Sequence, residues 1–230
     1  MKAVSANYGK RVGDSRKIQI IKAASALFIE KGYKNTSMRE IADSSGLNVA
    51  TLYYHVQSKE NIFSLFFEYS TKFLDTFSQE ISSGLNTASA ESALIAAIRK
   101  YMEYEDAVQD VIVCWYQESR NLPKIELVRL MAMEINTGEI FKKVLARGCK
   151  SEVFEIDNLD VVAQSIIIMC DMWCFRRWFF KRRLSLEQFI DNIITNIMRS
   201  ILADNDKGNS VRKKLKKHKL NQIINVRTRS

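Results

Sequence analysis

Between Thr36 and Lys59 the chain places hydroxyl, amide, ring and cationic side chains on short, sharply punctuated segments. Asn48, Ala50 and Thr51 fall within about one helical turn. An amide, a methyl and a hydroxyl at that spacing can read surfaces but cannot break bonds. Thr51 suits a base or a phosphate, and Ala50 suits a thymine methyl. Upstream, Thr36, Ser37 and Arg39 form a second polar set. Downstream, Lys59 opens an expected helix whose free N–H groups attract anions.

These side chains need elements to hold them. Ser37 with Glu40 three residues on is a capping box, so a helix is expected from Met38, with Met38, Ile41 and Ala42 on one face. Gly46 ends it, because glycine takes a left-handed backbone at least cost. Asn48 is an N-cap for the next helix, Val49 to about Val56, with Leu52 and Tyr53 expected to face the core. Ser58 is expected to cap a longer helix through Ile62, Leu65 and Phe66. An earlier helix, from near Ser15 to Gly32, carries the apolar stripe Ile20, Ala24, Leu27 and Phe28. Helix, glycine turn, short helix is the helix-turn-helix pattern, whose second helix enters the major groove of DNA.

At these residues the chain resembles the tetracycline-repressor (TetR) family. The resemblance runs from IIKAASALFIEKGY (Ile20 to Tyr33) through MREIA, GLNVATLYYHV and SKENIF, about the first quarter of the chain. Val56 and Gln57 stand where the family usually has Phe and often Pro, a departure that leaves the docking unchanged. The resemblance implies phosphate contacts for Tyr54, His55 and Lys59, and contacts to the opposite strand from Thr36, Ser37 and Arg39. The competing readings are an ordinary exposed histidine for His55 and a solvated lysine for Lys59.

Composition bounds the rest. One proline and eight glycines in 230 residues point to an all-α chain. The net charge of +9 is concentrated at the ends, with +4 in residues 1–17 and +7 in residues 204–230, so the body is close to neutral at −2. Basic ends are sequence-independent phosphate binders when DNA is near. Lys10, Arg11, Arg16 and Lys17 fit such a strip or a solvated terminus. The tail after 204 is expected to be a disordered extension, the alternative being a DNA-contacting arm.

Cys114, Cys149, Cys170 and Cys174 have only His55 and His218 as histidine company, so no metal site is expected and reduced, buried thiols are. No apolar run spans a bilayer and no signal-peptide core opens the chain, so a cytoplasmic location without membrane attachment is expected. No triad, paired carboxylates at a glycine turn or phosphate-binding glycine loop is present, which argues against an enzyme and against a bound cofactor.

After a linker-like stretch, SSGLNTASAES (82–92), helices are expected at 90–104, 106–120, 123–147, 158–180 and 185–203. The domains expected are a helix-turn-helix domain over 15–62, a helical ligand-binding and dimerisation bundle over 63–203, and the basic tail over 204–230. Leu159 to Phe180 is apolar on nearly every side, and Leu186 to Leu202 exceeds a single stripe, so a second copy is expected to cover the surplus. The family likewise dimerises through its last two helices.

Within this family, the bundle's aromatic and methionine residues imply an apolar pocket with a few polar groups. Its candidate walls are Tyr101, Tyr104, Trp115, Tyr116, Met133, Met169, Trp173 and Trp178, and its candidate polar groups Glu118, Arg120, Asn136, Asp171 and Arg177. Asp171 stands out, mid-helix among apolar neighbours, and is suited to a ligand or to an arginine at the dimer seam. WYQESRNLPKIELV, VLARGCKSEVFEIDN and MWCFRRWFFKRRLSLEQFID resemble acyl-CoA-sensing members of the family. There the late tryptophan is often followed by Tyr-Arg-Pro-Gly-Gly; here the segment is Phe179-Phe180-Lys181-Arg182-Arg183. These basic residues suit coenzyme A phosphates or a solvated turn. The implied function is a ligand-responsive repressor that binds a (pseudo)palindromic operator as a homodimer. The alternative is an architectural or nucleoid-associated DNA binder of the same fold that senses no small molecule.

Overall fold

The computed structural model describes residues 15–84 and 88–215. Lys10, Arg11 and the tail beyond 215 lie outside the described residues. The fold is all-α, with an N-terminal helix-turn-helix unit followed by a helical bundle.

The N-terminal unit comprises α1 (Ser15–Lys31), α2 (Met38–Ser45) and α3 (Val49–His55). Ser37 and Glu40 form the reciprocal capping box at the start of α2, and Gly46, at φ 69°, closes its end by donating to Ala42 and Asp43 carbonyls. Asn48 caps α3 by accepting from the Thr51 N–H at 2.7 Å. Leu52, Ile41, Ile20 and Phe28 are buried, and Phe28 stacks on Phe63 with centroids 5.6 Å apart. Phe63 lies on α4 (Asn61–Gly84), which continues into the bundle. The helix expected to open at Lys59 after the Ser58 cap starts two residues later: Ile62 and Phe63 donate to Lys59 and Glu60 in a tight first turn, so helix proper begins at Asn61. Tyr53 does not face the core. Leu52 and Val56, one turn apart, define the buried stripe, and Tyr53 sits about 100° round from Leu52, 47% exposed.

The bundle adds α5 (Ala90–Glu118), a 3₁₀ turn (Ser119–Asn121), α6 (Lys124–Lys150), α7 (Leu159–Phe175), the short α8 (Arg177–Phe180) and α9 (Leu186–Ile201). The expected helices 90–104 and 106–120 are one helix, α5, kinked at Val108 (φ −121°, ψ 17°). The expected helix 158–180 is broken at Arg176. Phe141 packs edge-on against both Phe77 and Tyr101 where α4, α5 and α6 meet. Gly148 lets the Phe154 ring lie against α6, since a Cβ there would meet it at 1.9 Å. Phe154 pairs in an isolated antiparallel bridge with Leu202, tying the loop after α6 to the end of α9.

The apolar surplus expected on α9 is used within the chain. Phe189, Ile190, Ile193, Ile194, Ile197 and Ile201 are all buried, and the outer face offers Gln188, Asn192, Asn196 and Arg199. The exposed surplus lies on α7 (Val161, Ile168, Phe175) and on α6 (Ile125, Val128, Met131, Ile135). Residues 206–215 are helical rather than a solvated extension, with Val211 buried and Arg212 donating to the Leu202 carbonyl at 2.7 Å.

Candidate functional site

Two regions carry functional geometry, the α2–α3 surface and a cavity inside the bundle. On the first, Arg39, Asn48 and Ala50 are exposed, Thr51 is half-buried, and Tyr54 is 85% exposed with its ring edge-on to His55. Ser37 is exposed, with its hydroxyl engaged by the cap. Tyr53 adds an exposed phenol that the sequence reading had placed inside.

Two expected contacts are turned inward. Thr36 is buried and its hydroxyl donates to the Gly32 carbonyl at 3.0 Å. The Lys59 ammonium donates to the carbonyls of Tyr33 (2.8 Å) and Thr36 (2.9 Å) and sits 4.3 Å from the Tyr33 ring centre. It therefore closes the turn after α1. The reason is local: that turn gathers carbonyls just past the C-terminal end of a helix, where a cation is favoured.

The turn is also held from the bundle. Glu118, buried at the end of α5, accepts from the Tyr33 N–H at 3.1 Å and from Asn121 at 2.8 Å. The Tyr33 hydroxyl donates to Glu60, and Lys31 pairs with Glu40 at 2.7 Å. The Glu40 carboxyl is lowered to about 2 by Lys31 and the Ser37 hydrogen bonds.

Of the expected pocket residues, the structure brings Tyr101, Tyr104, Trp115, Tyr116, Met133 and Asp171 around one small cavity, with Leu74, Glu105, Ile112, Glu134 and Thr137. Its volume is about 30 Å³, room for little more than one water. The Tyr116 hydroxyl donates to Asp171 at 3.1 Å, and Glu105, on the same wall, accepts from the Cys174 thiol at 3.2 Å. Burial pushes Asp171 up to about 6 and Glu134 up to about 7, and it pushes Glu105 well above the usual carboxylate range. Burial also raises the thiols of Cys114, Cys170 and Cys174, which makes them poor nucleophiles.

The remaining candidates lie elsewhere. Trp173 is on the opposite side of α7 from the cavity, donating to Asp106 at 2.8 Å and packing on Phe189. Two positions along a helix is about 200° of rotation, which separates it from Asp171. Glu118 holds the turn. Arg120 is exposed in the 3₁₀ turn, Met169 is half-buried away from the cavity, Arg177 faces Asp110 at 4.0 Å and Trp178 is 68% exposed. Asn136 lines a separate surface groove of about 630 Å³ between α4 and α6. That groove shares Leu74 and Met133 with the cavity and carries Arg129 and Lys143. Lys181 and Arg182 are exposed, whereas Arg183 stacks 4.0 Å over the Phe179 ring and donates to its carbonyl. Sequence reasoning missed Glu105 and Glu134; Glu105 lies one turn after Tyr101, a spacing that could have placed it on the same face.

Among the described residues no group of His, Cys, Asp and Glu is arranged to hold a metal ion, and no helix is long and apolar enough to cross a membrane.

Known proteins match this geometry along both parts of the chain. The family described as "Bacterial regulatory proteins, tetR family" matches residues 20–65, and that described as "Tetracyclin repressor-like, C-terminal domain" matches residues 87–201. The HTH-type transcriptional repressor KstR2 of Rhodococcus jostii (strain RHA1) is 29% identical over 172 residues, 71% of this chain and 79% of that protein. The solved structure of the ketosteroid transcriptional regulator KstR2 of Mycobacterium tuberculosis superposes with a TM-score of 0.70 at 21% identity, covering 84% of this chain and 97% of that one. AibR, solved in complex with isovaleryl coenzyme A and operator DNA, superposes with a TM-score of 0.62 at 22% identity, covering 78% and 96%. At these identities the structural likenesses show a shared fold.

Proposed function

The chain belongs to the tetR family of transcriptional regulators, and on that premise we propose that it is a homodimeric repressor released from its operator by a small apolar effector, an acyl-coenzyme A thioester. The observation that carries this reading is the position of Glu118. Trp115 and Tyr116 line the cavity, and Glu118, on the next turn of α5, grips the turn between α1 and α2. An effector that displaces this end of α5 moves the reader with it. It can do so only through a higher affinity for the state that does not fit the operator.

The reader proposed comprises Asn48, Ala50 and Thr51 at base edges, with Arg39, Ser37, Tyr53, Tyr54 and His55 toward the backbone. A second copy seats on the exposed apolar stripe of α7, with the polar outer face of α9 as its rim, and so supplies the second half-site. For the effector, the groove between α4 and α6 offers Arg129 and Lys143 to phosphates of the head group. Leu74 and Met133 then part to admit the acyl end into the cavity. A relative named as a repressor and a structural neighbour solved with an acyl-CoA and operator DNA support the choice.

The test is fluorescence anisotropy on duplexes from the promoter beside the protein's own gene. Added acyl-CoA of matching chain length should weaken DNA binding at least about tenfold, or about 1.4 kcal/mol of coupling. The small volume of the cavity favours a second reading, an architectural DNA-binding protein without an effector. That reading expects unchanged DNA affinity with every thioester.

A further inference from the structure

Resting on the acyl-thioester reading, we infer that the buried end of the effector carries a hydroxyl group, held between the Trp115 indole N–H and the Glu105–Asp171 carboxyl pair. Trp115 is 3% exposed and lines the cavity, yet its indole N–H has no hydrogen-bond acceptor. Three other donors of the wall are engaged: Tyr104 with Ser70 at 2.7 Å, Tyr116 with Asp171 at 3.1 Å, and Thr137 with the Met133 carbonyl at 3.0 Å. An unpaired buried donor costs free energy that a ligand acceptor can recover.

The same wall holds the carboxyl groups of Glu105, Glu134 and Asp171 and no Lys or Arg. A carboxylate or phosphate on the effector would satisfy Trp115 but would add a second negative charge beside Asp171 among buried acids. A protonated amine would suit the acids but offers no acceptor to Trp115. A methyl end leaves Trp115 unmet. A hydroxyl, with one donor and two acceptor lone pairs, meets both. The volume agrees, since about 30 Å³ admits a terminal hydroxyl but not an acyl chain, whose remainder must lie across Leu74 and Met133 in the groove.

The experiment is calorimetric titration of the full-length protein with two matched pairs: hexanoyl-CoA against 6-hydroxyhexanoyl-CoA, and octanoyl-CoA against 8-hydroxyoctanoyl-CoA. The hydroxylated member should bind about tenfold tighter in at least one pair, the net worth of one hydrogen bond. Trp115→Phe, which keeps a ring but removes the donor, should cut that preference to below about threefold. Equal or weaker binding of the hydroxylated member in both pairs, with the plain thioesters bound, overturns the hydroxyl inference and leaves the acyl-thioester reading standing. Binding of none of the four overturns both. A full preference retained in Trp115→Phe also overturns the inference. Should that variant fail to fold, the wild-type pairs decide alone.

Discussion

Glu118 accepts a hydrogen bond from the backbone N–H of Tyr33 across 85 positions of sequence, joining the end of the cavity helix to the turn that precedes α2. Both partners are buried. Glu118→Ala leaves the Tyr33 N–H unmatched and should destabilise the protein by about 1–3 kcal/mol. It should also reduce the effector's influence on DNA affinity while the effector still binds. Calorimetry of effector binding beside anisotropy with and without effector separates the two. A Glu118→Ala protein that releases DNA as wild type does would remove this residue from the coupling.

The acids of the cavity tie stability to pH. In Asp171 and Glu134 the folded-state carboxyls titrate near 6 and 7, above their ordinary values, because burial disfavours the charged form. Native protein therefore holds more protons than unfolded protein between about pH 4 and pH 7. The stability these groups contribute is complete below about pH 4 and is lost as pH rises through 6 to 7. Unfolding in urea should require more denaturant at pH 5.5 than at pH 7.5, a difference of about 2 kcal/mol. Asp171→Asn with Glu134→Gln should flatten the profile between those values. Higher stability at pH 7.5 in the wild-type protein would contradict the assignment.

Lys59 and Arg39 should behave oppositely. Lys59→Met strips the ammonium from the carbonyls of Tyr33 and Thr36 and should cost about 1–3 kcal/mol of stability. The salt dependence of DNA binding should stay as it was. Arg39→Ala should leave the melting temperature nearly unchanged and reduce the slope of log affinity against log salt by about one. Thermal melts and anisotropy over a salt series decide, and a flattened slope for Lys59→Met would restore it as a phosphate contact.

Much of this arrangement was legible in residue types and spacing. Ser37 with Glu40, Gly46 and Asn48 fixed the limits of α2 and the start of α3, because caps act within one turn. The inward turns of Thr36 and Lys59 were not legible, since a hydroxyl and an ammonium serve a phosphate or a carbonyl equally well and only the path after α1 chooses. In the bundle, composition marked Asp171, Tyr101, Tyr104, Trp115, Tyr116 and Met133, which do meet. It also marked Trp173 and Trp178, which the rotation of α7 and its break at Arg176 carry elsewhere. Glu105 and Glu134 went unmarked because a glutamate on a mixed helix reads as a solvated face. The α9 surplus pointed to a partner copy, but α5, α7 and residues 206–215 account for it within the chain.

The exposed stripe of α7 gives the dimer its test. Ile168→Glu places a charge where about half of an isoleucine lies open to solvent, so the isolated chain should lose little stability. In the dimer the same charge is buried without a partner. Sedimentation should show monomer at micromolar protein, and operator affinity should fall by at least about a hundredfold as the second half-site is lost. A dimer that survives this change would move the interface off α7.

The central claim is that a ligand in the bundle governs the reader. The most direct measurement is operator binding by the wild-type protein during a titration with acyl-CoA thioesters of graded length, repeated with Met133→Trp, which fills the passage between groove and cavity. The account predicts release of DNA by thioesters within a window of lengths, and loss of that release in Met133→Trp with operator affinity intact. DNA affinity indifferent to every thioester, or release undiminished in Met133→Trp, would contradict it.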